Sequence, residues 1–293
     1  MKDSQQTVTS FRDKWTNNPG LAFSETLNED SDIFQWILRR NGLSSPDALR
    51  EWLRGRARVL DGGCGNGRVT ALLRRYAPPE TEIVGVDIAA ADVARENLKE
   101  LENVRIEAGD LLGDLSGLGP FDLIYSQEVL HHTADPRGAF LNLASRLSAG
   151  GELAVYVYKR KAPMREYADD YIRDRSSQLP YEEAMTQMKG LAELGRALSA
   201  LETNVAVPDI PVLGIKAGEY DVQRFVYHFF LKCFWNPSLS MADNVAINYD
   251  WYHPQLSTRH TVEEVHEWVD AAGLRLIHSH VDEYGITVRA VSG

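Results

Sequence analysis

Three clusters in this chain combine residue types and spacings that chemistry needs. The first is VLDGGCGNG, beginning at Val59, in which Asp61 precedes glycines at 63, 65 and 67. β-Favouring residues running into an acid and then into glycines predict a buried strand that turns sharply into a helix. The glycines permit positive φ and let a ligand lie against bare backbone. The helix that follows, with Val69, Leu72, Leu73 and Tyr76 on one face, turns its free N–H groups and positive dipole end to that ligand. A carboxylate at the strand end repels a pyrophosphate and attracts an ammonium, so Asp61 favours a cofactor that contains an amino acid. The spacing agrees, because a dinucleotide fingerprint reads G-x-G-x-x-G and this loop reads G-x-G-x-G.

The second cluster is QEVLHH, where Glu128, His131 and His132 directly follow a predicted strand. Histidine titrates near neutrality and suits a general base, although either ring could equally cap the next helix or pin the loop. Glu128 reads as a base, an orienter or a solvated carboxylate. The third cluster is YDWYHPQLSTRHT, from Tyr249 to Thr261, where Arg259 could clamp a carboxylate or phosphate. Tyr252 and His260 are expected to orient a nucleophile there, against the plainer reading that His260 fixes the start of the next helix. Tyr156, Tyr158 and Lys159 end a further predicted strand and add aromatic faces suited to a cation. Catalysis is therefore expected from His131, His132 or His260, and substrate contacts from Tyr156, Tyr158, Tyr252, Arg259 and His260.

From Arg58 to Tyr158 the motifs resemble, in order, those of the class I S-adenosylmethionine-dependent methyltransferases of small-molecule type. VLDGGCGNG is similar to their first motif, EIVGVDI to the second strand, VRIEAGDL to the third, FDLIYSQEVLHHTADP to the fourth with its loop, and LSAGGELAVYVY to the fifth. The resemblance implies S-adenosyl-L-methionine as cofactor, with Asp87 on the ribose diol and Asp110 at the adenine amino group. It implies further contacts from Asp61, Gly63, Cys64, Gly65, Ile88, Leu111 and Gln127. Cys64 reads as a small residue suited to a tight turn rather than a reactive thiol.

Behind these clusters the expected fold is α/β. It is a Rossmann-like, seven-stranded, mostly parallel sheet with an antiparallel C-terminal hairpin, a helical N-terminal cover and an inserted helical lid. Residues 1–54 form the cover, with an aromatic lead segment around Phe11 and Trp15 and helices from Asp32 to Arg40 and from Pro46 to Arg54. Residues 55–160 form the cofactor-binding core and residues 161–255 the lid, in which Met185, Met188, Leu191, Leu198 and Leu201 fall at helical spacing. Residues 256–293 complete the core: Thr261 and Glu264 form a capping box, Gly273 ends the helix, and two strands separated only by Asp282 and Glu283 must pair antiparallel.

The chain has 293 residues and a net charge of −11, which argues against DNA or structured RNA as substrate. It holds two cysteines, no disulfide framework, no metal-ligand constellation, no apolar run of membrane-spanning length and no signal-peptide core. A cytoplasmic small-molecule enzyme is the expectation, transferring methyl to oxygen or nitrogen, with a homodimer as one option for its assembly. A thioether or thiol acceptor is the alternative, since a thioether needs no base. A nucleotide-dependent oxidoreductase is disfavoured by Asp61, and a non-catalytic binding module by the intact loop.

Overall fold

The computed structural model describes residues 2–293, in two compact units. One comprises residues 15–159 and 258–293, and the other residues 1–14 and 160–257.

The first unit opens with the end of α1 (Lys2–Asn17), then α2 (Phe23–Leu27), α3 (Asp32–Arg40) and α4 (Pro46–Leu53). It continues through β1 (Arg58–Gly62), α5 (Arg68–Tyr76), β2 (Glu82–Asp87), α6 (Ala91–Leu98), β3 (Val104–Ala108), β4 (Phe121–Gln127), α7 (Pro136–Ala144) and β5 (Leu147–Tyr158). The chain then leaves this unit for residues 160–257, described below, and returns to it with α12 (Val262–Ala271), β8 (Arg275–Val281) and β9 (Gly285–Val291). The seven-stranded sheet runs β3-β2-β1-β4-β5-β9-β8. The pairs from β3 to β5 are parallel, and β9 lies antiparallel to both β5 and β8. This is the expected fold. Apolar strands buried on both faces explain it: Leu60, Val84, Ile124, Leu153, Val155 and Val288 join α7 and α12 in one core, while Val59, Ile83, Leu123 and Ala154 join α3, α4 and α5 in the other.

Local signals place the helices. Ser31, rather than the expected Asp32, caps α3 by accepting from the Phe34 N–H, so Asp32 is its first residue. Thr261 and Glu264 form the expected capping box on α12. The β8–β9 turn is one residue longer than expected, because the Asp282 carboxylate accepts the Tyr284 and Gly285 N–H groups and takes Tyr284 out of the strand.

The second unit holds α8 (Pro163–Ser176), α9 (Tyr181–Ser199), α10 (Val222–Phe229) and α11 (Met241–Tyr252) with a small hairpin, β6 (Asn204–Val207) and β7 (Gly218–Asp221). The hairpin was not expected. Residues 2–14 fold here, so the segment expected as a single N-terminal cover divides between the units. Gln6 reaches the Ser177 and His253 carbonyls, Ser10 Oγ lies 2.8 Å from His253 Nδ1, and Lys14 pairs with Asp250 at 2.7 Å. On α9 the buried face is Ala184, Met188, Ala192 and Gly195, not the larger stripe expected, and Leu201 is exposed.

Candidate active site

The carboxyl ends of the sheet strands gather most of the predicted site residues, where open α/β sheets bind ligands. After β1 the chain turns through Gly63, Gly65 and Gly67, all at positive φ. The Gly63 and Cys64 N–H groups both donate to the Val86 carbonyl, at 2.7 and 3.1 Å, which pins the loop to the end of β2. A Cβ on Gly63 would stand 2.3 Å from Val129, so only glycine fits beneath the turn after β4. The Trp15 indole lies over the loop, about 3.2 Å from where a Gly65 side chain would begin. Asn66 holds the same lead segment through the Pro19 and Leu21 carbonyls.

Asp61 is buried and accepts a 2.6 Å hydrogen bond from Thr70. Burial pushes its carboxyl up to about 7, with the Thr70 hydrogen bond and the Arg68 charge pulling the other way. Asp87 ends β2, where one carboxylate oxygen accepts the Gly65 N–H at 2.9 Å and the other the Ala89 and Ala90 N–H groups. It therefore holds the glycine loop and the start of α6 together. Beside it Ile88 is 49% exposed, an apolar face left open next to a carboxylate. Burial, together with Asp87 and Asp61, pushes the Cys64 thiol well up and keeps it neutral, in accord with a turn-filling role. Asp110 is exposed and accepts the Leu112 N–H at 2.9 Å. The Leu111 side chain belongs to the hydrophobic core, and its carbonyl accepts from the Asn142 amide at 2.8 Å. The Gln127 side-chain amide oxygen accepts from the Tyr125 hydroxyl.

The histidines lie together at the ends of β4 and β5. His131 is fully buried and stacks on Tyr158 at 3.6 Å between ring centroids, and its Nδ1 accepts the Tyr158 N–H at 3.4 Å. His132 is 9% exposed and sits edge-on to Tyr158 at 5.6 Å. Residues 258–260 run alongside: the Thr258 N–H donates to the His131 carbonyl and the His260 N–H to that of Tyr158, at 2.8 and 2.9 Å. Arg259 is thus fixed by pinned backbone on either side. The His260 ring lies 3.0 Å from Thr258 Oγ1 on one nitrogen and 3.5 Å from Glu264 on the other, and makes a T-shaped contact with Trp268 at 4.7 Å between centroids.

Tyr252 is not part of this assembly. It belongs to the second unit, fully buried, its hydroxyl donating to Asp169 at 2.8 Å and accepting the Lys232 N–H. Asp169 also takes Arg165 at 2.7 Å and the Trp251 indole N–H at 2.8 Å, which makes Tyr252 part of that unit's polar core. The aromatic run from Tyr249 onward is divided at Ser257 between the units.

Arg40, which the sequence did not single out, is buried over the Tyr156 ring at 4.3 Å and bonds Asp282 at 3.1 Å. Tyr156 and Asp282 lie more than a hundred residues away in sequence, so no local pattern marks these contacts. Among the described residues no group of three or more histidine, cysteine or acidic side chains could hold a metal ion.

Residues 60–153 match the family model described as a methyltransferase domain. The chain is 41% identical over 101 residues to the trans-aconitate 2-methyltransferase of Deinococcus radiodurans, covering 34% of this chain and 38% of that one. It is 32% identical over 107 residues to a ubiquinone biosynthesis O-methyltransferase of Caulobacter, covering 33% and 39%. The chain thus matches well under two thirds of the length of these relatives. Among solved structures it is similar to an S-adenosylmethionine-dependent methyltransferase from Aquifex aeolicus, with 13% identity, a TM-score of 0.48 and coverage of 96% and 98%.

Proposed function

We propose that this chain, whose residues 60–153 are a class I S-adenosylmethionine-dependent methyltransferase domain, transfers a methyl group to oxygen or nitrogen of a small-molecule acceptor. The observation that carries this reading is the Asp87 carboxylate, which ties Gly65 to the start of α6 with the open apolar face of Ile88 beside it. That arrangement suits a nucleoside whose ribose lies on the carboxylate and whose base lies on the isoleucine. Asp61, buried near the loop, suits the ammonium of an amino-acid moiety, and Asp110 suits the far edge of the base.

When bound, the cofactor supplies a methyl group on a sulfonium that is open to in-line attack. The protein's share of the work is positioning, water exclusion and, for a hydroxyl or amine, removal of one proton. The pair His131–Tyr158 forms a buried wall beside the proposed acceptor position, and His132 is the ring placed to take the proton. Arg259, on its pinned backbone, suits an anionic group of the acceptor. With a hydroxyl or amine acceptor, His132 would take the proton that the acceptor loses on methylation.

A sulfur acceptor remains the second reading, supported by the commitments of His131 Nδ1 and of both His260 nitrogens. A thioether would need no base. The test is a thermal-shift comparison followed by a radiolabelled-methyl screen of metabolites. S-Adenosylhomocysteine should raise the melting temperature and NAD or NADP should not. A response to a nicotinamide cofactor alone would overturn the proposal.

A further inference from the structure

Glu128, the first residue after β4, stands at φ 62° in the left-handed region, where few residues other than glycine are found. Its neighbours explain what that turn achieves. Val129 is delivered against Gly63, at the base of the glycine loop. The Glu128 carboxylate is delivered between two guanidiniums, 3.3 Å from Arg68 and 3.8 Å from Arg40. Arg68 is the first residue of α5, directly after the loop, and its other nitrogen donates to Thr26 at 2.9 Å. The Arg68 charge also acts on Asp61. Arg40 carries the tie onward to Tyr156 and to Asp282 in the β8–β9 turn.

The carboxylate is only partly covered, whereas both arginines are nearly buried. The exposure of the carboxylate limits what the pairing adds to stability, and the backbone strain subtracts from it. Strain kept where it brings no stability marks a functional position.

We infer that Glu128 is a positioning residue for the methyl-transfer site. It acts on the glycine loop at two points, through Val129 beneath Gly63 and through the ion pair that fixes Arg68 at the start of α5. The inference rests on the methyltransferase reading and goes beyond it, because the residue acts through its neighbours.

The experiment is calorimetric titration of the full chain with S-adenosylhomocysteine, at low and high salt, beside melting temperatures. The variants are Glu128→Gln, Glu128→Gly, Arg68→Gln and the double variant Glu128→Gln with Arg68→Gln. Glu128→Gln should weaken binding about tenfold, the scale of one charge-assisted hydrogen bond. The deficit should narrow at high salt as the native pair is screened. Arg68→Gln should match it, and the double variant should lose no more than either single change. Glu128→Gly should bind as weakly as Glu128→Gln yet melt no lower than the native protein, because glycine relieves the strain. A residue that merely supports the fold would give the opposite pattern, lower melting with binding retained, and that result would overturn the inference. Additive losses in the double variant would also overturn it. Should Glu128→Gly fail to fold, Glu128→Asn makes the same comparison, since asparagine tolerates the left-handed region. Native protein that binds while every variant binds equally refutes the positioning role alone. Native protein that does not bind refutes the methyltransferase reading and this inference with it.

Discussion

Thr258 Oγ1 stands 3.0 Å from Nε2 of His260, whose other nitrogen faces Glu264 at 3.5 Å. A ring held from both sides is poorly placed to shuttle a proton, whereas His132 lies edge-on to Tyr158 at the ends of β4 and β5. His260→Ala should therefore cost about 1–2 kcal/mol of stability in chemical denaturation and change turnover little with a working acceptor. His132→Ala should lower turnover by about 100- to 10,000-fold with S-adenosylhomocysteine affinity intact. The reverse ranking would make His260 the base, and full turnover in both would favour a sulfur acceptor.

Asp61 predicts a specific pH dependence. Its carboxyl is raised to about 7 by burial, so between the ordinary carboxylate range and about pH 7 the folded state binds more protons than the unfolded one. Stability of the ligand-free protein should then fall as pH rises through that window. Binding of the cofactor's ammonium favours the ionised form, so affinity for S-adenosylhomocysteine should rise from pH 6 to 8. Calorimetry across that range tests it, and Asp61→Asn should give a weaker, flat profile.

Asp87→Ala should reduce S-adenosylhomocysteine affinity by about 1.5–3 kcal/mol, the scale of hydrogen bonds to a charged group. The same change frees the N–H groups of Gly65, Ala89 and Ala90, so hydrogen exchange should quicken there first. Unchanged affinity would remove Asp87 from the ligand site.

Gly63→Ala should abolish measurable cofactor binding, because the new methyl meets Val129 and the backbone sits at φ 84°. Val129→Ala in the same chain should recover part of the loss by making room. It cannot recover all of it, since the left-handed backbone still disfavours alanine. Equal defects in the single and double variants would show that backbone conformation alone sets the effect.

Legibility in the sequence followed the range of the interactions. Strand β1 with its glycine loop, Asp87 at the end of β2, the capping box at Thr261 and the terminal hairpin each declare themselves within a few residues, and each stands where the pattern put it. Arg40 meets partners brought in from β5, the β8–β9 turn and the turn after β4, and no local spacing encodes it, whereas Glu128 stood out beside the histidines without any local sign of the arginines it meets. Hairpin β6–β7 was missed because its strands are four residues each and half exposed, which leaves little alternation to read. Tyr252 shows the same limit: an aromatic-rich run reads as one pocket wall, whereas the structure gives its hydroxyl a buried carboxylate partner at Asp169 that lies 83 residues away.

The partners of α1 have a consequence for refolding. Gln6, Thr7 and Ser10 find theirs at Ser177, His253 and Leu256, at least 171 residues away, and β9 must slot between β5 and β8. Each unit is therefore closed by segments distant in sequence, and such pairings are slow to form. A denatured chain returned to native conditions should regain its helices well before either unit is complete.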